Sequence, residues 1–551
     1  MTKVVFINMP LRESAPPNCA PNGVAILAAI LRNHGIEPHI LDLNAVRVKD
    51  AEALANGWSH GRLMTFQEAE GYIGRCLEKI GEPDVVALSG MITTLRWQEE
   101  VSKMIRRNCA GSFLVSGGGL ATEFGTGLFE WIPELDGIGC GEGDESILKV
   151  VADAVAMKEM GKRGAEESGK LKPYCLGEVG GKLRFSYEGV RPSNLDVTPF
   201  PAYDLLEMDP LGNKPLSVYL GNPIWGDGSM NSSAGGFKVN RSINTISSRG
   251  CPHACSYCYK GTTGERHYGA LSADRLVTEI ENLACNLNVD FVGILDDNFM
   301  VGRKRIMDMV DEMEKLSLNS NVRWGTHGRL DEAADLRPGH GVNDPKRVDL
   351  MARAGCVYIG FGGESADAET LKNMGKGGFI LSNGFEEING YKFPKTMLEG
   401  IRNTRRAGIQ ANLTWIMSFP QETLEQLKTT AAFIKWQEEF YKSCGDKSGT
   451  VNKNMFVASA YPGTQMFNHP KVKEILGREF GIKWGRDGQP IRDAALRSYV
   501  LSLDDATKVL SGTSGKPIFY GDMPEDDFIE ARGHIERGDL DAVLAMPGRA
   551  M

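Results

Sequence analysis

The chain reads as an α/β protein: a doubly wound parallel sheet, then an incomplete six-unit strand–helix barrel, then a mixed carboxy-terminal region. Three observations predict this. Short apolar runs alternate with amphipathic helical stretches over the first 160 residues, the pattern of a parallel sheet covered on both faces. From about residue 243 six further strand–helix units follow one another, and such units curl into a barrel whose functional residues stand at the carboxyl ends of strands. The length of 551 residues exceeds what one core supports, so several domains are needed.

In the first region the strands fall at 4–8, 40–43, 84–89, 113–116 and 136–139. The first ends in a loop holding Pro10, Pro16, Pro17 and Pro21. An apolar helix follows over 23–33, with Gly35 placed to end it. Thr65 and Glu68 have capping-box spacing for a helix running to Ile80. Further helices cover 97–107 and begin at Glu145. Two strand ends are glycine-rich: Ser116, Gly117, Gly118 and Gly119, then Gly141, Glu142 and Gly143. Glycines there let a bulky ligand approach the backbone, where open α/β sheets bind ligands. The same residues also suit plain tight turns. No GxGxxG follows the first strand, so the dinucleotide fingerprint is missing.

Residues 161–240 read as linker and lid. The stretch 158–172 is charged, and Pro199 and Pro201 hold 195–206 extended. Residues 211–240 are rich in Gly, Asn and Ser, as in a long functional loop. The barrel strands are expected at 244–248, 291–296, 322–327, 357–361, 410–417 and 455–460, with helices including 273–287, 303–316 and 424–439. In the tail, 502–509 and 525–536 read as helices.

Composition excludes several classes. Hydrophobic residues are 42% and charged residues 24%, ordinary for a folded soluble chain. The net charge of −9 gives no global field for nucleic acid or an anionic membrane. The apolar runs are too short to span a bilayer. Residues 1–10 read as a first strand rather than a secretion signal. There are 11 cysteines, an odd number, and three lie within eight residues. This fits reduced thiols in a cytoplasmic setting, some of them metal ligands.

The most specific motif follows the first barrel strand: Arg249-Gly-Cys251-Pro-His-Ala-Cys255-Ser-Tyr-Cys258-Tyr. Three thiolates on one tight loop suit three irons of a four-iron cluster and leave the fourth iron open for a chelating ligand. Two other readings stand beside it: a Cys3His zinc site using His253 or His267, and three unrelated buried cysteines.

The loop Cys251, Cys255 and Cys258, with the aromatic Tyr257, resembles the radical S-adenosylmethionine (SAM) enzymes, in particular the class B methyltransferases of their cobalamin-dependent branch. Residues 361–365 (FGGES) resemble that family's SAM-binding strand, 416–423 (IMSFPQET) its next strand and turn, and 460–464 (AYPGT) its last strand end. Asp296-Asp297-Asn298-Phe299 resembles a motif of the cobalamin-dependent branch, and the amino-terminal half resembles that branch's cobalamin-binding domain.

The resemblance implies a Rossmann-like cobalamin-binding domain at 1–160, a linker or lid at 161–240, a partial (β/α)6 radical SAM barrel at 241–465 and a carboxy-terminal region at 466–551. It implies a 4Fe–4S cluster on Cys251, Cys255 and Cys258, and SAM near Tyr257, Arg329, Glu364, Ser365 and Met417. Cobalamin would meet Met91, Thr93, Ser116, Gly117, Gly118, Gly119, Gly141, Glu142, Gly143 and Asn298. Residues 1–150 lack Asp-x-His-x-x-Gly, so the lower face of cobalt should carry no histidine; the loop 89–97, with Met91, Thr93 and Arg96, is where it should rest. Met91, Thr93 and Arg96 equally suit an ordinary loop and helix start. His327 and Arg329 would meet the SAM carboxylate or the substrate, or else pair with Asp331 or Glu332.

The implied reaction is methyl transfer from methylcobalamin to an unactivated carbon after hydrogen abstraction by the 5′-deoxyadenosyl radical. Its partners would be an external electron donor such as flavodoxin or ferredoxin, and a small-molecule, peptide or protein substrate. Two alternatives remain: a non-methylating cyclisation, ring contraction or oxidation with the same cofactors, and a cobalamin or redox sensor using the cluster as a switch.

Overall fold

The computed structural model describes residues 1–167, 169, 174–227, 229, 237–260, 267–337, 344–445, 451–504, 509–512 and 515–548. The chain forms two compact units.

The first comprises Met1–Asn222 and Pro490–Lys508. Its sheet contains β1 (Lys3–Asn8), β2 (Glu37–Asp42), β3 (Val85–Ser89), β4 (Phe113–Gly117), β5 (Gly137–Gly141), β6 (Cys175–Val179) and β7 (Lys182–Gly189). Their order is β2-β1-β3-β4-β5-β7-β6. β1 to β5 and β7 run parallel, and β6 is antiparallel to β7. Val4, Val5, Phe6 and Ile7 are all buried, because a parallel strand covered on both faces is apolar at every position. The strand order reverses between β1 and β3, which opens a crevice beyond their carboxyl ends.

The Thr65–Glu68 capping box is present: Thr65 Oγ1 accepts from Glu68 N at 3.2 Å and Glu68 Oε2 accepts from Thr65 N at 2.8 Å. The helix it starts is Phe66–Ile80. The sheet extends beyond residue 160, since the hairpin β6–β7 lies inside the stretch expected to be linker. Residues expected in the tail also join this unit. Arg497, on the helix Ala494–Ser502, forms a bidentate pair with Glu99, both bonds at 2.8 Å.

The second unit comprises Pro223–Lys260, Gly264–Gln489 and Val509–Met551. Its strands are β8 (Ser242–Thr245), the short antiparallel pair β9 (Ser248–Arg249) and β10 (Gly269–Ala270), β11 (Phe291–Ile294), β12 (Arg323–Gly328), β13 (Cys356–Glu364), the hairpin β14 (Phe385–Ile388) and β15 (Tyr391–Pro394), β16 (Gln410–Met417) and β17 (Met455–Val457). Six of them make one wholly parallel sheet in sequential order, β17-β16-β13-β12-β11-β8. Intervening helices include Ala273–Leu287, Arg303–Lys315 and Leu424–Ser443. This is the expected incomplete barrel.

Part of the expected lid is core. Trp225 packs in one cluster with Val239, Phe291 and Tyr358, its ring stacked 4.9 Å from that of Tyr358. A Cβ at Gly325 would lie 3.2 Å from the Trp225 ring, so glycine there makes room for the indole. Within the first unit the same stretch supplies the helix Pro215–Gly221. Residues 228 and 230–236 of that lid lie outside the described residues, as do 505–508 of the helix expected over 502–509, whose first residue instead ends Ala494–Ser502. The helix expected over 525–536 is present as Glu525–Glu536. No helix among the described residues is long and apolar enough to cross a membrane.

Candidate active site

The three-cysteine loop leaves the sheet just after β8 and β9. Asp296, buried at the end of β11, fixes that exit by accepting from Ser247 N, Ser247 Oγ and Ser248 N at 2.6, 2.6 and 2.9 Å. Arg305 supports it from the adjacent helix, donating to Ser247 Oγ at 2.6 Å and to Leu271 O at 2.8 Å. Gly250 takes φ +79°, turning the chain into Cys251. The loop is then clamped at its centre: Ser256 N donates to Met374 O at 2.9 Å and Ser256 O accepts from Met466 N at 2.7 Å. Gly375 has φ +67°, and a Cβ there would fall 2.8 Å from Ala254 O. Glycine is required for this approach.

Cys255 is buried, Cys251 half-buried and Cys258 exposed, and all are free thiols. The Cys258 thiol donates toward Cys255, and that hydrogen bond lowers the Cys255 pKa, with the charges of Lys376 and Arg329 opposing the cost of burial. Cys255 is therefore the readiest thiolate of the three. Arg329 Nη1 lies 3.8 Å from Cys255 Sγ, and its Nε donates to Asp331 Oδ1 at 2.9 Å. The expected pairing of Arg329 with Asp331 is present, but buried rather than on a surface.

Glu364 ends β13 with φ +62°, where the ladder to β16 shifts register. Its Oε1 accepts from Tyr257 OH at 3.0 Å and from Lys376 Nζ at 3.2 Å. Both donors fall on the same oxygen, so Oε2 remains to accept from an ammonium group. Lys376 is a site residue that spacing did not reveal: it lies in a turn and reaches Glu364 only through the fold.

Other expected residues are engaged by the chain itself. Ser365 Oγ meets Thr430 Oγ1 at 3.0 Å and accepts from Asp367 N at 3.1 Å. Met417 is fully buried. Asn298 Oδ1 caps the following turn at Met300 N, 3.2 Å, and its Nδ2 donates to Glu332 Oε1 at 3.3 Å. His327 is half-buried with its ring 5.0 Å from that of Trp225, and desolvation lowers its pKa.

In the first unit, Met91 is exposed and Thr93 half-buried in the loop after β3. Gly117 and Gly119 would each accept a Cβ in ordinary contact, the nearest atoms being Leu88 O at 4.0 Å and Met91 Cα at 3.7 Å. The other glycines answer to the chain itself. A Cβ at Gly118 would lie 2.7 Å from Gly90 O, at Gly141 2.5 Å from Gly189 O, and at Gly143 2.9 Å from Leu27 Cδ2. Glu142 is half-buried beside them, and its backbone N donates to Gly189 O at 3.3 Å. Ser116 is buried, its Oγ donating to Gln98 Oε1 at 2.7 Å.

Residues 245–434 match the radical SAM superfamily. The match takes in about a third of the chain. The chain is 24% identical to an uncharacterised methyltransferase of Pyrococcus horikoshii over 83% of this chain and 79% of that one. It is 25% identical to the anaerobic magnesium-protoporphyrin IX monomethyl ester cyclase of Cereibacter sphaeroides, over 66% of this chain and 51% of the cyclase. Among solved structures, the cobalamin-dependent radical enzyme OxsB with aqua-cobalamin and SAM bound aligns at TM-score 0.61 and 15% identity, over 89% of this chain and 63% of OxsB. The radical SAM methyltransferase TsrM of Kitasatospora setae, with cobalamin and a 4Fe–4S cluster bound, aligns at TM-score 0.59 and 16% identity, over 99% of this chain and 90% of TsrM. The fold is therefore that of the cobalamin-dependent radical SAM enzymes.

The donor set fits a radical SAM cluster: one loop, clamped at Ser256, carries three free thiols, and in a four-iron cluster each thiolate holds its own iron. His253 is 3.8 Å from the buried Glu332, and His267 is exposed.

Proposed function

We propose that this radical SAM protein is a cobalamin-dependent C-methyltransferase, with Cys251, Cys255 and Cys258 holding a 4Fe–4S cluster. The observation that carries the reading is the three-thiol loop clamped at the carboxyl end of the first strand of a six-strand parallel half-barrel, in a chain whose whole length follows the TsrM fold. When bound, the cluster, SAM and methylcobalamin supply an electron, a hydrogen-abstracting radical and a methyl group, respectively.

The chain's own residues bind and orient. Glu364 Oε2 would accept from the SAM ammonium, while Tyr257 and Lys376 hold the carboxylate in place through Oε1. Arg329 keeps positive charge beside Cys255, which favours the ligating thiolate. Met91, Thr93, Gly117 and Gly119 would line the surface at the ends of β3 and β4 on which a large flat ring rests, Met91 being exposed and the two glycines uncrowded. Gly118 shapes the loop after β4, and Gly141 and Gly143 shape the loop after β5. An external one-electron donor is required.

The test supplies the reconstituted chain anaerobically with a strong reductant, methylcobalamin and SAM deuterated in its methyl group. Mass spectrometry then follows 5′-deoxyadenosine and methylated products in an extract of candidate substrates. The expected result is 5′-deoxyadenosine together with a product heavier by one labelled methyl. The similarity to the cyclase favours a second reading, the same cofactors with a non-methylating outcome; 5′-deoxyadenosine with product but no label would establish it.

A further inference from the structure

The first unit carries a cavity of about 420 Å³ where residues 45–49, 59–60 and 213–222 meet, past the carboxyl end of β2. Arg47, Lys49, Lys214 and His60 line it, and among the described residues no Asp or Glu does. This runs against a chain whose net charge is −9. Arg47 is held in one orientation: Nε donates to Asn44 O at 2.8 Å, Nη2 to Arg12 O at 2.8 Å and Nη1 to Glu13 O at 3.3 Å. These acceptors are neutral carbonyls, so they aim the guanidinium without neutralising it. The carboxylates of Asp42 and Glu13 act on it only through space. Burial lowers its pKa to about 10, which still leaves it charged at neutral pH.

Lys49 and Lys214 make no ion pair among the described residues. The His60 ring bonds the Glu13 backbone, and its Nε2 is buried with no hydrogen-bond partner. Like charges gathered on one concave surface repel, and a bound anion removes that repulsion. An adjoining cavity of about 860 Å³ shares Val46 and Asn213 with this one and adds Met64 and Tyr72, room enough for an organic group.

We propose that this cavity binds a diphosphate group, either free pyrophosphate or the diphosphate of a nucleotide. The guanidinium, whose N–H groups are engaged by oxygens of Asn44, Arg12 and Glu13, supplies positive charge behind the site, and the two lysines supply the point charges that contact the phosphates. All these residues lie in the first unit, and the proposal needs neither the cluster nor methyl transfer.

The test is isothermal titration calorimetry of the full chain at low ionic strength, with pyrophosphate and ADP as probes. The wild type is compared with the double variant Lys49→Ala/Lys214→Ala. Both lysines are exposed, so the variant should keep its fold, and a matching thermal midpoint checks this. If it does not fold, the single variant Lys214→Gln takes its place. The expected result is one saturable equivalent per chain, weakened at least tenfold in the variant. Tighter binding of ADP than of pyrophosphate identifies a nucleotide site; equal or weaker binding identifies free diphosphate. Absence of saturable binding by either probe, or a loss below tenfold, overturns the proposal.

Discussion

Lys376 Nζ lies 3.2 Å from Glu364 Oε1, and both side chains are at most 10% exposed. Removing one member of such a pair strands a buried charge, at a cost of about 3–5 kcal/mol. Lys376→Met should therefore lower the thermal midpoint strongly, and Lys376→Met/Glu364→Gln should recover much of the loss. Equal losses in the single and double variants would show that the pair is not what matters.

A second residue sets a pH dependence. Glu422 is fully buried just after β16, and Ser418 N donates to its Oε2 at 2.6 Å while Oε1 has no partner. Burial pushes its pKa up to about 8 from 4.5. A folded-state pKa above the unfolded one means that the group's stabilisation is full below about pH 4.5 and is lost as pH rises through about 8. Wild-type melting temperature should fall across that window by several degrees, since about 1 kcal/mol moves a domain of this size by roughly 2–4 °C. Glu422→Gln should flatten the fall. An unchanged slope in the variant would assign the dependence elsewhere.

At the scale of elements, the cysteine loop is placed by a turn distant from it in sequence. Gly375→Ala combines φ +67° with a Cβ 2.8 Å from Ala254 O. Gly384→Ala carries a similar φ of +76° with nothing within 4 Å. Left-handed strain alone costs about 1–2 kcal/mol in either variant. Only Gly375→Ala should also lower the iron bound per chain after reconstitution, because only it pushes on the loop. Equal iron in the two variants would mean that the turn does not position the cysteines.

The elements also separate what local sequence carries from what it does not. β1, β3 and β4 were legible because strands buried on both faces are continuous apolar runs. The Thr65–Glu68 cap was legible because its hydrogen bonds close within three residues. The hairpin β6–β7 was not: β6 is mostly exposed and glycine-containing, so its membership depends on the strand beside it. The helix Ala494–Ser502 gave no sign of joining the first sheet, because the deciding pair, Arg497 with Glu99, spans 398 residues. The same contrast holds in the site. The cysteine spacing is local and legible, whereas Lys376 meets Glu364 only after β13 and its turn have folded. Trp225 was hidden in a loop-like composition, and only the glycines of facing strands show where the indole goes.

Over the whole molecule, a cobalamin-binding reading of the first unit constrains the metal's lower face. His39 lies in β2 and pairs with Glu37 at 3.0 Å; His34 precedes β2, and its ring meets Ile30 O at 2.8 Å. His60 follows β2. None of them stands in the loops after β1, β3, β4 or β5. Cob(II)alamin bound to the chain should show an electron paramagnetic resonance spectrum without axial-nitrogen superhyperfine splitting; such splitting from an imidazole would refute this.

The radical SAM match over 245–434 and the three-thiol loop meet in one measurement. Wild type and the Cys251→Ala/Cys255→Ala/Cys258→Ala variant are reconstituted with iron and sulfide, reduced anaerobically with SAM, and assayed for bound iron and 5′-deoxyadenosine. The expected result is about four irons per chain and 5′-deoxyadenosine in the wild type, with both lost in the variant. A variant that keeps its iron and still cleaves SAM would contradict the assignment of these cysteines as the cluster's ligands.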